Sequence, residues 1–109
     1  MGTPRDNQFR LAYAKAYKLQ PDVYAVQGYD AAQLLAVGLN AVKGDFSKKD
    51  ELYYAMGKTT IASPRGKLAF TAAHNPIQDF YAREVKGNNN VITGVAVPAL
   101  ADPARGCKM

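Results

Sequence analysis

With 109 residues the chain has room for one domain, and a chain of that size buries only about two-thirds of its unfolded surface. Hydrophobic residues make up 48% and charged residues 21%, a globular balance that excludes a disordered or fibrous chain. The net charge of +5 would suit an anionic partner, yet no basic run exceeds Lys48-Lys49. A nucleic-acid binder concentrates its basic residues on one face beside stacking aromatics, so no nucleic-acid partner is expected.

The first six residues, Met-Gly-Thr-Pro-Arg-Asp, lack the basic and apolar pattern of a signal peptide, and none is expected within the chain. Thr3-Pro4-Arg5-Asp6 reads as a helix start, with Thr3 as cap and Pro4 at the first helical position. Phe9, Ala12, Tyr13, Ala16 and Tyr17 then recur at helical spacing. Pro21 closes this helix, because the residue before a proline is pushed out of the helical region.

Asp22 caps a second helix that is expected to run to about Lys43 and stop at Gly44. From Ala31 to Val42 it carries no charge for twelve residues. That is short of the roughly 20 apolar residues a membrane span needs. The helix is apolar or small on nearly every side, the pattern of a helix surrounded by other elements. The rest of the chain is too small to surround it. Gly28 and Gly38 inside it each cost about 1 kcal/mol relative to alanine, and are expected to admit a neighbouring backbone. Ser47-Lys48-Lys49-Asp50 signals a short third helix that buries Leu52, Tyr53 and Met56 and ends at Gly57.

Beyond Gly57 the period changes from helix to strand. Residues 59–62 and 67–70 flank the turn Ser63-Pro64-Arg65-Gly66. Residues 78–85 and 91–97 flank the turn chemistry of residues 86–90. Residues 98–109 read as a loose tail. Its lone Cys107 is either a free thiol or the half of a pair completed outside the chain.

Gly57-Lys58-Thr59 imitates the end of a phosphate-binding loop, but Leu52 occupies the required first glycine position and the flanking elements are in the wrong order. His74 is the sole histidine and reads as a loop residue. No metal-ligand spacing or nucleophile–base pair is present, and Asp79 and Glu84 fall on opposite faces of one strand by simple alternation. No enzyme activity, metal or cofactor is expected. Tyr24, Gln27 and Tyr29, at the entrance of the second helix, remain as ligand candidates. A helix N-terminus favours a carboxylate, and tyrosine offers a flat apolar face with a polar tip. The alternative is that both rings are core fillers.

Three segments together resemble a known family. They are Pro21-Asp22-Val23-Tyr24-Ala25-Val26-Gln27-Gly28-Tyr29-Asp30-Ala31-Ala32-Gln33-Leu34-Leu35, then Ser63-Pro64-Arg65-Gly66, then His74-Asn75-Pro76-Ile77-Gln78-Asp79-Phe80-Tyr81 followed by Arg83-Glu84-Val85. In order and spacing they are similar to the C-terminal third of substrate-binding proteins of branched-chain amino acid ABC transporters. Family members have two α/β lobes joined by three crossings that close over a ligand.

The resemblance implies an α/β fold, a partial lobe of three helices followed by two antiparallel hairpin-like strand pairs. It implies one incomplete domain, with residues 4–57 from the first lobe and residues 58–109 supplying the last hinge crossing and edge strands. Tyr24 matches an aromatic lining the family's side-chain pocket, and Gln27 and Tyr29 lie just beyond it. The implied partners are a small organic ligand, an amino acid or aromatic acid, and a membrane permease. The implied setting of the complete protein is the periplasm. The competing expectation is a self-standing module that forms homo-oligomers through its exposed apolar surface.

Overall fold

The computed structural model describes residues 4–106; the cap expected at Thr3 and the expectations for Cys107 lie outside the described residues. Helix α1 (Pro4–Tyr17), α2 (Val23–Ala41) and α3 (Lys49–Lys58) are followed by strands β1 (Ile61–Ser63), β2 (Gly66–Phe70), β3 (Pro76–Lys86) and β4 (Asn89–Leu100). The strands form one antiparallel sheet in the order β1-β2-β3-β4. The two expected hairpins are therefore continuous, joined by the pairing of Ala69 with Ile77 and of Phe70 with Pro76.

Local chemistry explains the boundaries. The Asp22 side chain accepts from the Ala25 N–H at 2.9 Å and opens α2. At its other end Gly44 takes a φ of +79° and donates its N–H to the Leu39 carbonyl at 2.9 Å, a left-handed stop that glycine adopts without a steric penalty.

The start of α3 differs from the expectation. Ser47 does not cap it: its hydroxyl and its N–H both donate to Asp45 Oδ1, at 2.6 and 3.0 Å. Lys48 stands at the cap position without a side-chain bond. An aspartate two residues upstream offers a local turn that outcompetes the capping geometry. That engagement holds the Asp45 carboxyl below the ordinary aspartate value of 3.8.

Two further expectations are corrected. Tyr53 is 63% exposed, because Leu52 and Met56 occupy the face that meets α2 and Tyr53 lies about 100° round the helix from Leu52. At the crossing, a Cβ built on Gly38 would lie 2.6 Å from Leu52 Cδ1 and 2.7 Å from Met56 Cγ. The glycine admits side chains there, where a backbone was expected. The tail is also shorter than expected, since β4 continues through Pro98 to Leu100. As the last strand of the sheet, β4 has an edge that tolerates a missing N–H.

The described apolar core is Phe9, Val26, Val42, Leu52, Ile61 and Leu68, drawn from the helices and the first hairpin. No residue of β3 or β4 is fully buried. The accessible surface is 8097 Å², whereas a folded monomer of this mass exposes about 5,900 Å². The radius of gyration is 16.1 Å, against about 13 Å for a compact domain of this length. Val23, Tyr24 and Leu35 on α2 are all largely exposed. Among the described residues no helix is long and apolar enough to cross a membrane.

Candidate functional site

The N-terminal half of α2 presents two contrasting sides. Tyr24 is 75% exposed, and Gln27, Gly28, Ala31 and Leu35 continue an open stripe along the same side. Their offsets of 3, 4, 7 and 11 from Tyr24 follow from the sequence and bring all four within about 60° of it on the helical wheel. A Cβ on Gly28 would meet nothing within 4 Å. This side carries an aromatic ring, an amide and otherwise small or aliphatic groups, a lining suited to a planar organic molecule or to close packing.

Tyr29 is placed differently. It lies about 140° round the helix from Tyr24 and is half-buried. Its ring centroid is 4.9 Å from that of Phe9 on α1, and its hydroxyl accepts from Arg5 Nη1 at 3.4 Å. Tyr24 and Gln27 therefore share an open face, while Tyr29 joins α2 to α1.

The inner side of α2 holds a polar cluster. Asp30 is only 6% exposed. Its Oδ2 accepts from the Ser63 hydroxyl at 2.8 Å and from Arg65 Nη2 at 3.0 Å. The Ser63 hydroxyl also accepts from the Arg65 N–H at 3.1 Å. Gln33 Nε2 donates to the Ala62 carbonyl at 3.1 Å, and the Tyr81 hydroxyl donates to the Arg65 carbonyl at 2.8 Å. Sequence reasoning singled out neither Asp30 nor Arg65 as a functional side chain. The available signal was a carboxylate on the inner face of an apolar helix, which demands a cation and a hydroxyl from elsewhere.

Two open cavities flank these elements. One of about 830 Å³ lies beside the α2 N-terminus, with Arg10, Val26, Arg65, Arg83 and Ile92 among its walls. Arg10 pairs with the buried Asp6 at 3.1 Å and Arg65 with Asp30. The other, of about 500 Å³, lies between Tyr53, Tyr54, Lys58, Phe70 and His74. His74 is an exposed loop residue. Asp79 lies where register shifts interrupt β3, between Gln78 and Arg83. Its carboxylate accepts from the Ala99 N–H at 2.7 Å. No group of three or more His, Cys, Asp or Glu side chains among the described residues could hold a metal ion.

The profile of a family described as periplasmic binding protein matches residues 1–90. A solute-binding protein of an ABC transporter from R. palustris, solved in complex with benzoate, is similar over 100% of this chain at 50% identity and a TM-score of 0.94. This chain covers 30% of that one. A second solute-binding protein, from Rhodopseudomonas palustris BisB5 in complex with 3,4-dihydroxybenzoic acid, is 26% identical over 94% of this chain and 29% of its own, with a TM-score of 0.78. A leucine-binding protein from Thermotoga maritima MSB8 shares the fold, with a TM-score of 0.71 at 20% identity over 86% of this chain and 27% of its own. No curated protein matches significantly.

Proposed function

The chain belongs to the periplasmic binding protein family, and from that premise we propose that it forms one wall of a protein that captures a small aromatic carboxylate for an ABC transporter. The observation that carries this reading is the open, aromatic-bearing face of α2 in a chain that is 50% identical to part of a benzoate-bound relative. In this reading residues 4–57 belong to the first lobe, and residues 58–109 supply the last hinge crossing and edge strands. The complete protein works in the periplasm, performs no catalysis, and hands its ligand to a membrane permease.

Tyr24 lays its ring against the ligand, and Gln27 supplies a polar contact beside it. Tyr29, turned against Phe9, fixes the helix from behind. The positive end of the α2 dipole favours an anionic ligand. The ligand's second wall comes from the opposite lobe, because a binding cleft must bury most of a small molecule's surface.

The test is a hybrid in which this chain replaces the corresponding 30% of the R. palustris benzoate-binding protein. Calorimetry should show benzoate binding, weakened at least about tenfold by Tyr24→Ala, the equivalent of some 1.4 kcal/mol. A folded hybrid with no affinity for benzoate, or one indifferent to Tyr24→Ala, would overturn the proposal. The competing reading, a self-standing homo-oligomer, draws on the same exposed surface. It requires light scattering to find a stable dimer of the isolated chain.

A further inference from the structure

Two segments marked out by the sequence, Tyr29-Asp30-Ala31 and Ser63-Pro64-Arg65-Gly66, are bonded to one another across 33 and 35 residues. We infer that Asp30, Ser63 and Arg65 form a positioning latch that sets the direction of α2, and with it Tyr24, relative to the β3–β4 hairpin.

Apolar contact alone leaves a helix free to rotate or slide over its support, because burial is non-directional. Asp30 removes that freedom. Its one oxygen receives both the Ser63 hydroxyl and the Arg65 guanidinium, and charge-assisted bonds of this kind are short and directional. Asp30 lies six residues, or about 9 Å along the axis, from Tyr24, near enough for its fixed azimuth to fix that of the tyrosine.

The other side of the latch is equally constrained. Pro64 is fully buried, and the Ser63 hydroxyl holds the turn by accepting the Arg65 N–H. Gly66 closes the turn at a φ of +117°, and a Cβ there would stand 3.4 Å from the Tyr81 hydroxyl oxygen. That hydroxyl bonds the Arg65 carbonyl. Pairing of β3 with β2 is confined to Ala69–Ile77 and Phe70–Pro76, so beyond Tyr81 the β3–β4 hairpin projects without a third strand. Tyr81 is its anchor. The bonded path therefore runs from α2 through Asp30, Arg65 and Tyr81 to the base of the projecting hairpin.

The cluster is badly made as a source of stability. Asp30 Oδ1 and Arg65 Nε are buried without a partner among the described residues, and an incompletely satisfied buried ion pair stabilises a fold less than an apolar pair of equal volume. Direction is what such a pair supplies. Its consequence for the ligand rests on the reading of Tyr24 given above; its geometry is tested without any ligand, so the two ideas fail separately.

The experiment places spin labels on the exposed positions Ala32 and Val85 of the full chain, each changed to cysteine, with Cys107 changed to serine. Pulsed dipolar spectroscopy then reads the distance between α2 and the hairpin. Arg65→Met and Asp30→Leu should each broaden the distribution to at least about twice the wild-type width while helical circular dichroism is retained, and the double variant should be no broader than either alone. A wild-type width in either folded variant would overturn the latch, as would equal broadening by Leu68→Ala, which lies outside the network. If Arg65→Met does not fold, Asp30→Leu, of similar size and without an acceptor, decides alone, and unfolding of both would show a core element and overturn the proposal.

Discussion

Gly28→Ala and Gly38→Ala place the same methyl group in the same helix with opposite surroundings. Each substitution removes a helix-interior glycine and gains about 1 kcal/mol of intrinsic helix stability. That gain is common to both, so the difference between the variants isolates the steric contribution. At Gly28 the new carbon meets nothing within 4 Å, and the variant should be stabilised by about 1 kcal/mol. At Gly38 it would stand 2.6 Å from Leu52 Cδ1 and 2.7 Å from Met56 Cγ. Forcing a methyl into a packed contact costs about 1–3 kcal/mol. Met56 is flexible enough to hold the figure to about 1–2, leaving the variant neutral or destabilised by about 1 kcal/mol.

Urea denaturation followed by circular dichroism should therefore separate the two variants by about 1–2 kcal/mol in the isolated chain. In melting temperature that is on the order of 5–15 °C. On the proposal that this face closes on a ligand and the opposite lobe, the gain at Gly28 should disappear in the benzoate-bound hybrid with the R. palustris protein. Equal stabilities of the two variants in the isolated chain would refute the close α2–α3 crossing. A persistent gain at Gly28 in the benzoate-bound hybrid would refute the covering of that face.

Two further outcomes are expected. The Asp45 carboxyl should titrate below 3.8 by NMR, and Ser47→Ala should return its midpoint toward the ordinary value. Because the folded value is depressed, the associated stability is present above 3.8 and is lost as pH falls through the folded midpoint. Calorimetry on the isolated chain should find no micromolar binding of benzoate or leucine, since a single wall leaves most of a ligand's surface in water; a micromolar isotherm would contradict the half-cleft.

The helices were legible because their signals are local. Asp22 and Gly44 mark the ends of α2 through their own side chain and backbone, and the change of period after Gly57 marks the strands. Ser47 misled because Asp45, two residues earlier, took its hydrogen bonds first. Tyr53 misled because a short helix offers one narrow buried face, and Leu52 with Met56 fill it. Pro98 falls within β4 because an edge strand tolerates a missing N–H, and strand order is not visible in one sequence.

The candidate site divides in the same way. Tyr24 was reached through its place at the entrance of an over-apolar helix and through a resemblance. Tyr29 lies on the same helix but, 140° away by helical geometry, finds Phe9. The Asp30–Ser63–Arg65 cluster depends on residues more than 30 positions apart, a pairing that periodicity cannot report. The direction of the open face is equally non-local, since it is defined by what the described residues leave uncovered.

The central claim is that Tyr24 is part of a ligand-contacting wall. Fluorine NMR of the hybrid, grown with 3-fluorotyrosine and assigned by Tyr24→Phe, reads it directly. The account predicts that the Tyr24 resonance shifts saturably with benzoate while those of Tyr53 and Tyr54 stay in place. Benzoate binding that leaves the Tyr24 signal unmoved would contradict it.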